Sequence, residues 1–141
     1  MYNNETLVDF GKNPLVRCKV KIGSDINQYI NLYVGQYGGW MEHFGFRIEG
    51  NTLYGNSRTS NNNESQISLK TITAGEELTL EAVYYSGNRI EFYVNGELLG
   101  TKTDCLPEIT EKASQIYLWL STSAAENKTL DVYYWVVEQD W

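Results

Sequence analysis

The segment Gly87-Asn-Arg-Ile-Glu-Phe-Tyr-Val-Asn-Gly-Glu-Leu-Leu-Gly-Thr101 decides the fold. Ile90, Phe92 and Val94 alternate with Glu91, Tyr93 and Asn95. That period of two puts successive side chains on opposite faces of a strand. Asn95-Gly96 then supplies the residue pair best able to take two positive φ angles in a row, as a type I′ hairpin turn requires.

The same period runs outward in both directions. Downstream it appears as Ile116, Leu118, Leu120 and as Leu130, Val132, Tyr134, Val136. Upstream it appears as Leu78-Leu80-Ala82-Tyr84, Phe44-Phe46-Ile48, Ile30-Leu32-Val34 and Val16-Cys18-Val20-Ile22. Turn signals punctuate these runs at Gly23-Ser-Asp25, Gly38-Gly39, Glu49-Gly-Asn51, Ala74-Gly75 and Ser86-Gly-Asn88. Many short strands with regular turns predict an all-β chain, a two-sheet antiparallel jelly-roll sandwich. Common parity assigns Ile90, Phe92, Val94, Leu118, Leu120, Val132 and Tyr134 to its core. One short helical piece is expected over Pro107–Ser114, with Pro107 in its first turn and Glu108 and Glu111 near its start.

Length fits one domain over residues 1–141. The stretch 55–66 has no apolar residue. As a linker it would leave two halves too small for sound cores, so the expectation is a long exposed loop.

Charge narrows the partners. Eleven basic against 18 acidic residues give a net charge of −7. Arg17, Lys19 and Lys21, alternating along one strand, are the only basic concentration. A phosphate backbone or an anionic bilayer surface is therefore disfavoured, and nucleic-acid binding is not expected. No apolar run approaches the roughly 20 residues of a membrane-spanning helix, so no membrane insertion is expected. Met1–Thr6 lacks the basic and apolar regions of a signal peptide.

Cys18 shares parity with Val16, Val20 and Ile22, which favours a small buried hydrophobe; a bond to Cys105 stays open. One histidine and two distant cysteines cannot make a zinc tetrad, and His43 reads as an ordinary polar residue of a strand. No Gly-rich phosphate loop follows Gly38-Gly39.

The hairpin at 87–101 resembles the I-x-F-Y-V-D/N-G-x-x-x-G hairpin of concanavalin A-like lectin/glucanase (laminin-G-like) jelly rolls. The order that usually follows in that superfamily is also present: Leu106-Pro107, Ile116-Tyr-Leu-Trp-Leu120, and Leu130–Gln139. The resemblance covers residues 76–139 and implies the fold more than the function, because this superfold hosts enzymes, lectins and structural proteins. It also fits jelly rolls carried on virus particles as fibre tips or decoration proteins, and the short chain from Met1 to Trp141 leans that way. Many members hold a structural calcium. Asp25, Asn27, Asn31 and Asp131 are the oxygen donors available for one, and no other cofactor is expected.

Aromatic content is the functional anomaly. Eleven tyrosines and four tryptophans bring Phe, Trp and Tyr to 13% of the chain. If the parity above is right, Tyr85, Tyr93, Tyr117, Trp119, Tyr133 and Trp135 share an outer face, where a plain solvated sheet carries polar residues. One reading has that face covered by the 55–66 loop, the N-terminal segment or a neighbouring subunit. The other makes it a platform on which sugar rings stack, with Glu91, Asn95 and Gln115 as hydrogen-bond partners.

Catalysis is not expected. Family 16 glucanases carry a Glu-x-Asp-x-(x)-Glu run, and retaining hydrolysis needs two carboxyls ~5–5.5 Å apart. Glu42 and Glu49 would stand more than about 20 Å apart on an extended strand. The sequence thus points to a non-catalytic glycan-binding or attachment module, placed on a virion surface or outside the cell, whose partner is a glycan or a virion or cell-surface protein. The alternatives are a purely structural decoration or spike protein, and, least favoured, a glucanase-type hydrolase; homo-oligomerisation is left open.

Overall fold

The computed structural model describes residues 9–23, 28–35, 42–59, 63–107, 115–121 and 130–140, with the side chains of 28–31, 35, 115–121 and 130 outside that description. A 3-10 turn at Phe10–Lys12 is followed by ten strands. They are β1 (Leu15–Ile22), β2 (Gln28–Gly35), β3 (His43–Gly50), β4 (Thr52–Arg58), β5 (Glu64–Thr71), β6 (Glu77–Tyr85), β7 (Arg89–Val94), β8 (Glu97–Lys102), β9 (Gln115–Ser121) and β10 (Leu130–Glu138). Two five-stranded sheets form, with orders β10-β1-β6-β7-β8 and β5-β4-β3-β2-β9. The strand pairs are antiparallel. The two-sheet antiparallel sandwich expected from the period-two pattern is what the chain adopts.

The pattern works because every second residue of β1, β6 and β7 is apolar. Their burial alternates strictly, with Val16, Cys18, Val20 and Ile22 inward from β1 and Leu78, Leu80, Ala82 and Tyr84 inward from β6. Leu32, Val34, Phe44, Phe46, Ile48 and Leu53 face them from the second sheet. Rings interlock between the sheets: Phe46 meets Phe92 edge-on at 5.5 Å, and Phe10 packs against Phe44 and Tyr84. Gly55 is required beneath this contact, since a Cβ there would lie 2.6 Å from the Phe92 ring. The Asn95-Gly96 turn joins β7 to β8 with φ of 51° and 83°, as the sequence predicts.

Three expectations are corrected. The stretch 55–66 is strand at both ends, Gly55–Arg58 in β4 and Glu64–Gln66 in β5, because its polar side chains find partners across the sheet. Tyr134 is not core: it is 39% exposed and pairs with Lys19, on the outer face. The cause is an irregularity in β10. Lys19 pairs with Tyr134 and Val20 with Val132, so Tyr133 is an extra residue, a β-bulge that inverts parity along the strand. Val132, on the inward parity opposite Val20, is still 36% exposed, because β10 is the last strand of its sheet. Ile90, Phe92 and Val94 are buried as expected. The side chains of Leu118 and Leu120, and residues 108–114 of the expected helical piece, lie outside the described residues.

One charge is carried into the interior. Lys102, 1% exposed at the end of β8, bonds Ser65 Oγ of β5, and Asp104 Oδ1 at 2.8 Å. Ser65 Oγ in turn donates to Asp104 Oδ2 at 2.7 Å, so a buried charge is paired and hydrogen-bonded where the two sheets meet at one edge. Hydrogen bonds from Lys102 and Ser65 hold the Asp104 carboxyl below its ordinary range. Burial pushes the Glu76 carboxyl up, but the bond from Lys70 and those from Thr73 outweigh it and hold it low.

Replacing Phe92 by Ala should cost about 3–5 kcal/mol in a urea titration, the range for deleting a buried aromatic ring. Acid should also unfold the chain by a readable route. Glu76 and Asp104 have folded pKa values below their unfolded ones, so their contribution is complete above the ordinary carboxylate range, about pH 4. It disappears as the pH falls through the folded values. The unfolding midpoint should therefore drop on acidification below about pH 4, and less steeply in a Glu76→Gln/Asp104→Asn variant.

Candidate functional site

The nine residues singled out in the sequence do not form one platform. Tyr117, Trp119 and Gln115 are on β9, in the opposite sheet from the rest, paired with Tyr33, Asn31 and Gly35; their side chains lie outside the described residues. Trp135 points inward: beyond the bulge it pairs with Cys18 and packs against the core, where its indole Nε1 is buried without an acceptor among the described residues. Tyr133 stays outside, 51% exposed, donating to Glu77 Oε1 at 3.1 Å under the Lys19 ammonium.

Tyr85, Glu91 and Tyr93 do come together, on the outer face of β6 and β7. Strand pairing sets Glu81 opposite Tyr93 and Tyr85 opposite Arg89. Glu91 accepts from the Tyr93 hydroxyl at 3.2 Å and sits 3.6 Å from Arg89, whose guanidinium lies 3.9 Å over the Tyr85 ring. Hydrogen bonding to Glu91 raises the Tyr85 pKa; partial burial, then Glu91, raises that of Tyr93. Both phenols therefore remain hydrogen-bond donors at neutral pH. Asn95 turns back: its Oδ1 accepts from the Thr79 amide at 2.9 Å and fixes the hairpin rather than facing solvent as a free hydrogen-bond partner.

Beside Tyr93 the sheet surface is hollowed. A depression of about 360 Å³ is lined by Arg17, Thr79, Glu81, Tyr93 and Gly96. Arg17 Nε bonds Glu81 Oε2 at 2.7 Å, with both side chains partly exposed. Glycine at position 96 leaves that end open. The floor thus combines an aromatic edge with a donor–acceptor pair, in the volume range of small-ligand sites.

The outer face of the second sheet carries a cluster that the sequence reading missed. His43 is 3% exposed, not an ordinary surface residue. Its ring stacks on Tyr33 at 3.9 Å and its Nε2 is 2.6 Å from Asn56 Oδ1. Asn56 Nδ2 donates to Glu64 Oε1 at 2.9 Å, and Arg47 Nη2 reaches the same oxygen at 2.7 Å. Burial pushes the Glu64 carboxyl up, but Asn56, Arg47, His43 and Arg58 together hold it below its ordinary range. The stretch offered little signal: Asn56, Arg58, Glu64 and Gln66 share the outer face, but their inward neighbours Gly55, Ser57 and Ser65 are as polar or as small.

Among the described residues no group of three His, Cys, Asp or Glu could hold a metal ion. Of the proposed calcium donors only Asp131 has a described side chain, exposed beside Lys21; Asp25, Asn27 and the Asn31 side chain lie outside the described residues. Cys18 and Cys105 are both free thiols; burial pushes the Cys18 pKa up to about 12, which makes it inert.

No protein-family model matches the chain, and no curated protein matches its sequence. Solved structures do resemble it. The binding domain of botulinum neurotoxin serotype D superposes with a TM-score of 0.73 at 14% identity, over 99% of this chain and 35% of that one. The binding domain of Paraclostridial Mosquitocidal Protein 1 gives 0.72 at 10%, over 99% and 36%. A glycosidic hydrolase gives 0.64 at 14%, over 89% and 64%. The chain spans about a third of the toxin domains it matches, and at these identities the likeness is one of fold: a β-sandwich shared by binding domains and by a hydrolase.

The inward turn of Trp135 has a direct consequence. Trp135→Ala should lower stability by about 3 kcal/mol in a denaturant titration, as for other large side chains packed on a core. Tyr133→Ala, on the exposed side of the bulge, should change it by less than about 0.5 kcal/mol.

Proposed function

We propose that the chain is a non-catalytic carbohydrate-binding module whose site is the outer face of the β10-β1-β6-β7-β8 sheet around Tyr93. The observation that carries this reading is the depression beside Tyr93, with Arg17, Thr79 and Glu81 on its floor. A sugar ring offers an apolar C–H face and a rim of hydroxyls. Tyr93 supplies a partly exposed aromatic surface for the first. Glu81 accepts and Arg17 and Thr79 donate to the second, from positions already fixed by strand pairing, so little ordering is required on binding.

The same arrangement disfavours hydrolysis. Glu81 is engaged by Arg17, Glu91 by Tyr93 and Arg89, and Glu77 by Tyr133 and Lys19. Glu77 and Glu81, on one face of β6, are four residues apart, about 13 Å, far beyond the ~5–5.5 Å of a retaining pair. Display on a virion or another extracellular surface, where an attachment module meets its glycan, belongs to this reading.

A glycan array followed by titration of the best ligand tests it. Tyr93→Ala should weaken binding at least about 30-fold, the weight of an aromatic hot spot of ~2 kcal/mol, and Glu81→Gln should also weaken it. Neither should release reducing sugar from the ligand or alter the folded spectrum. An empty array, or binding untouched by both substitutions, would remove the site from this face.

A further inference from the structure

Among the described residues five large apolar side chains stand exposed, and four of them are on β10: Val132, Tyr133, Tyr134 and Val136, at 36–51%. Among the described residues β10 is an edge strand, paired with β1 alone. An edge offers a row of unpaired backbone groups, which natural sheets usually guard with lysine or proline. From Val132 to Val137 β10 has neither, and no charge at all. Its one guard is the bulge at Tyr133, which confines regular geometry to the segment from Tyr134 to Glu138.

We infer that this segment is the interface between two copies of the chain, joined edge to edge in antiparallel pairing across a two-fold axis at Val136. The occupant is a second copy because the segment is complementary to itself. An axis through Val136 sets Val136 against its own copy, Trp135 against Val137 and Tyr134 against Glu138. Parity agrees in both copies: Tyr134, Val136 and Glu138 are outward, paired with Lys19, Arg17 and Leu15, while Trp135 and Val137 are half-buried on the core side. Val136 meets Val136 and Trp135 meets Val137, and the half-buried pair continues each core across the axis.

The charges agree as well. Each Glu138 arrives beside Tyr134 of the other copy, which pairs with Lys19 one strand further in. At ~4.8 Å per strand the two long side chains are within reach of each other, and no carboxylate faces a carboxylate. Val136 pairs with Arg17, which lines the depression beside Tyr93, but the inference rests on the β10 edge and not on sugar binding, so it stands apart from the proposed function.

Sedimentation equilibrium across the micromolar to submillimolar range tests it on the intact chain. The wild type should associate to a dimer. Val136→Lys, which sets two ammonium groups face to face on the axis, should leave only monomer, with wild-type circular dichroism. Glu138→Lys should weaken the dimer, and adding Lys19→Glu to it should restore association, a rescue that a general loss of stability would not produce. Leu98→Lys, on the exposed β8 edge of the same sheet, should leave the dimer intact. A wild type monomeric throughout, a dimer that survives Val136→Lys, or one abolished by Leu98→Lys instead, would overturn the interface.

Discussion

Two sheets can close on each other only where a large side chain from one meets an empty position in the other. In this chain that position is Gly55, over which the Phe92 ring lies so closely that a single added carbon would overlap it. The contact fixes the phase of β7 against β4. Phe92 inward forces Tyr93 outward, and Gly55 inward forces Asn56 outward. Each candidate binding surface is therefore set by one residue adjacent to this point. Phe46, edge-on to the same ring, locks β3 into the same phase. The outer faces are the far sides of a core that admits one register.

The parts legible in the sequence are those where inner and outer residues differ in kind. β1, β6 and β7 alternate apolar residues with outward ones that are mostly charged, and their faces could be assigned without coordinates. The 55–66 portion of β4 and β5 could not. Gly55 and Ser57 inward are as polar or as small as Asn56 and Arg58 outward, so the alternation carries no contrast and reads as loop. β10 fails for the opposite reason. Six apolar residues in succession contain nothing to mark an extra one, and Trp135 exchanges faces unseen. Parity also says which face a residue takes, never which sheet. β9 crosses to lie beside β2, and Tyr117 and Trp119 go with it, away from Tyr93.

The two outer faces differ in chemistry. On the β6–β7 side the polar groups are partly exposed, with Arg17 bonded to Glu81 and Tyr93 to Glu91, so they are open to a further hydrogen-bond partner. On the β3–β4–β5 side Tyr33, His43 and Asn56 are at most 3% exposed, and their hydrogen bonds are directed at one another and at Glu64. A slip of one residue in β4 would orphan each member of that chain in a poorly solvated place, at a cost of about 1–3 kcal/mol per group. The buried cluster thus specifies strand register where apolar contrast is missing. The exposed β6–β7 face carries no such buried cluster, in keeping with the binding role proposed for it.

The bulge at Tyr133 also shows where this fold accommodates an extra residue. With that residue removed, β10 would read Leu-Asp-Val-Tyr-Trp-Val-Val-Glu, an unbroken alternation with Val132, Trp135 and Val137 inward. The strand therefore has the form of a regular one with one residue added, and the addition is absorbed locally because a strand paired on one side has a single ladder to satisfy. The same insertion in β1, held on both sides by β10 and β6, would have to be accommodated in two ladders at once. An added residue therefore costs less at this edge than in the middle of the sheet.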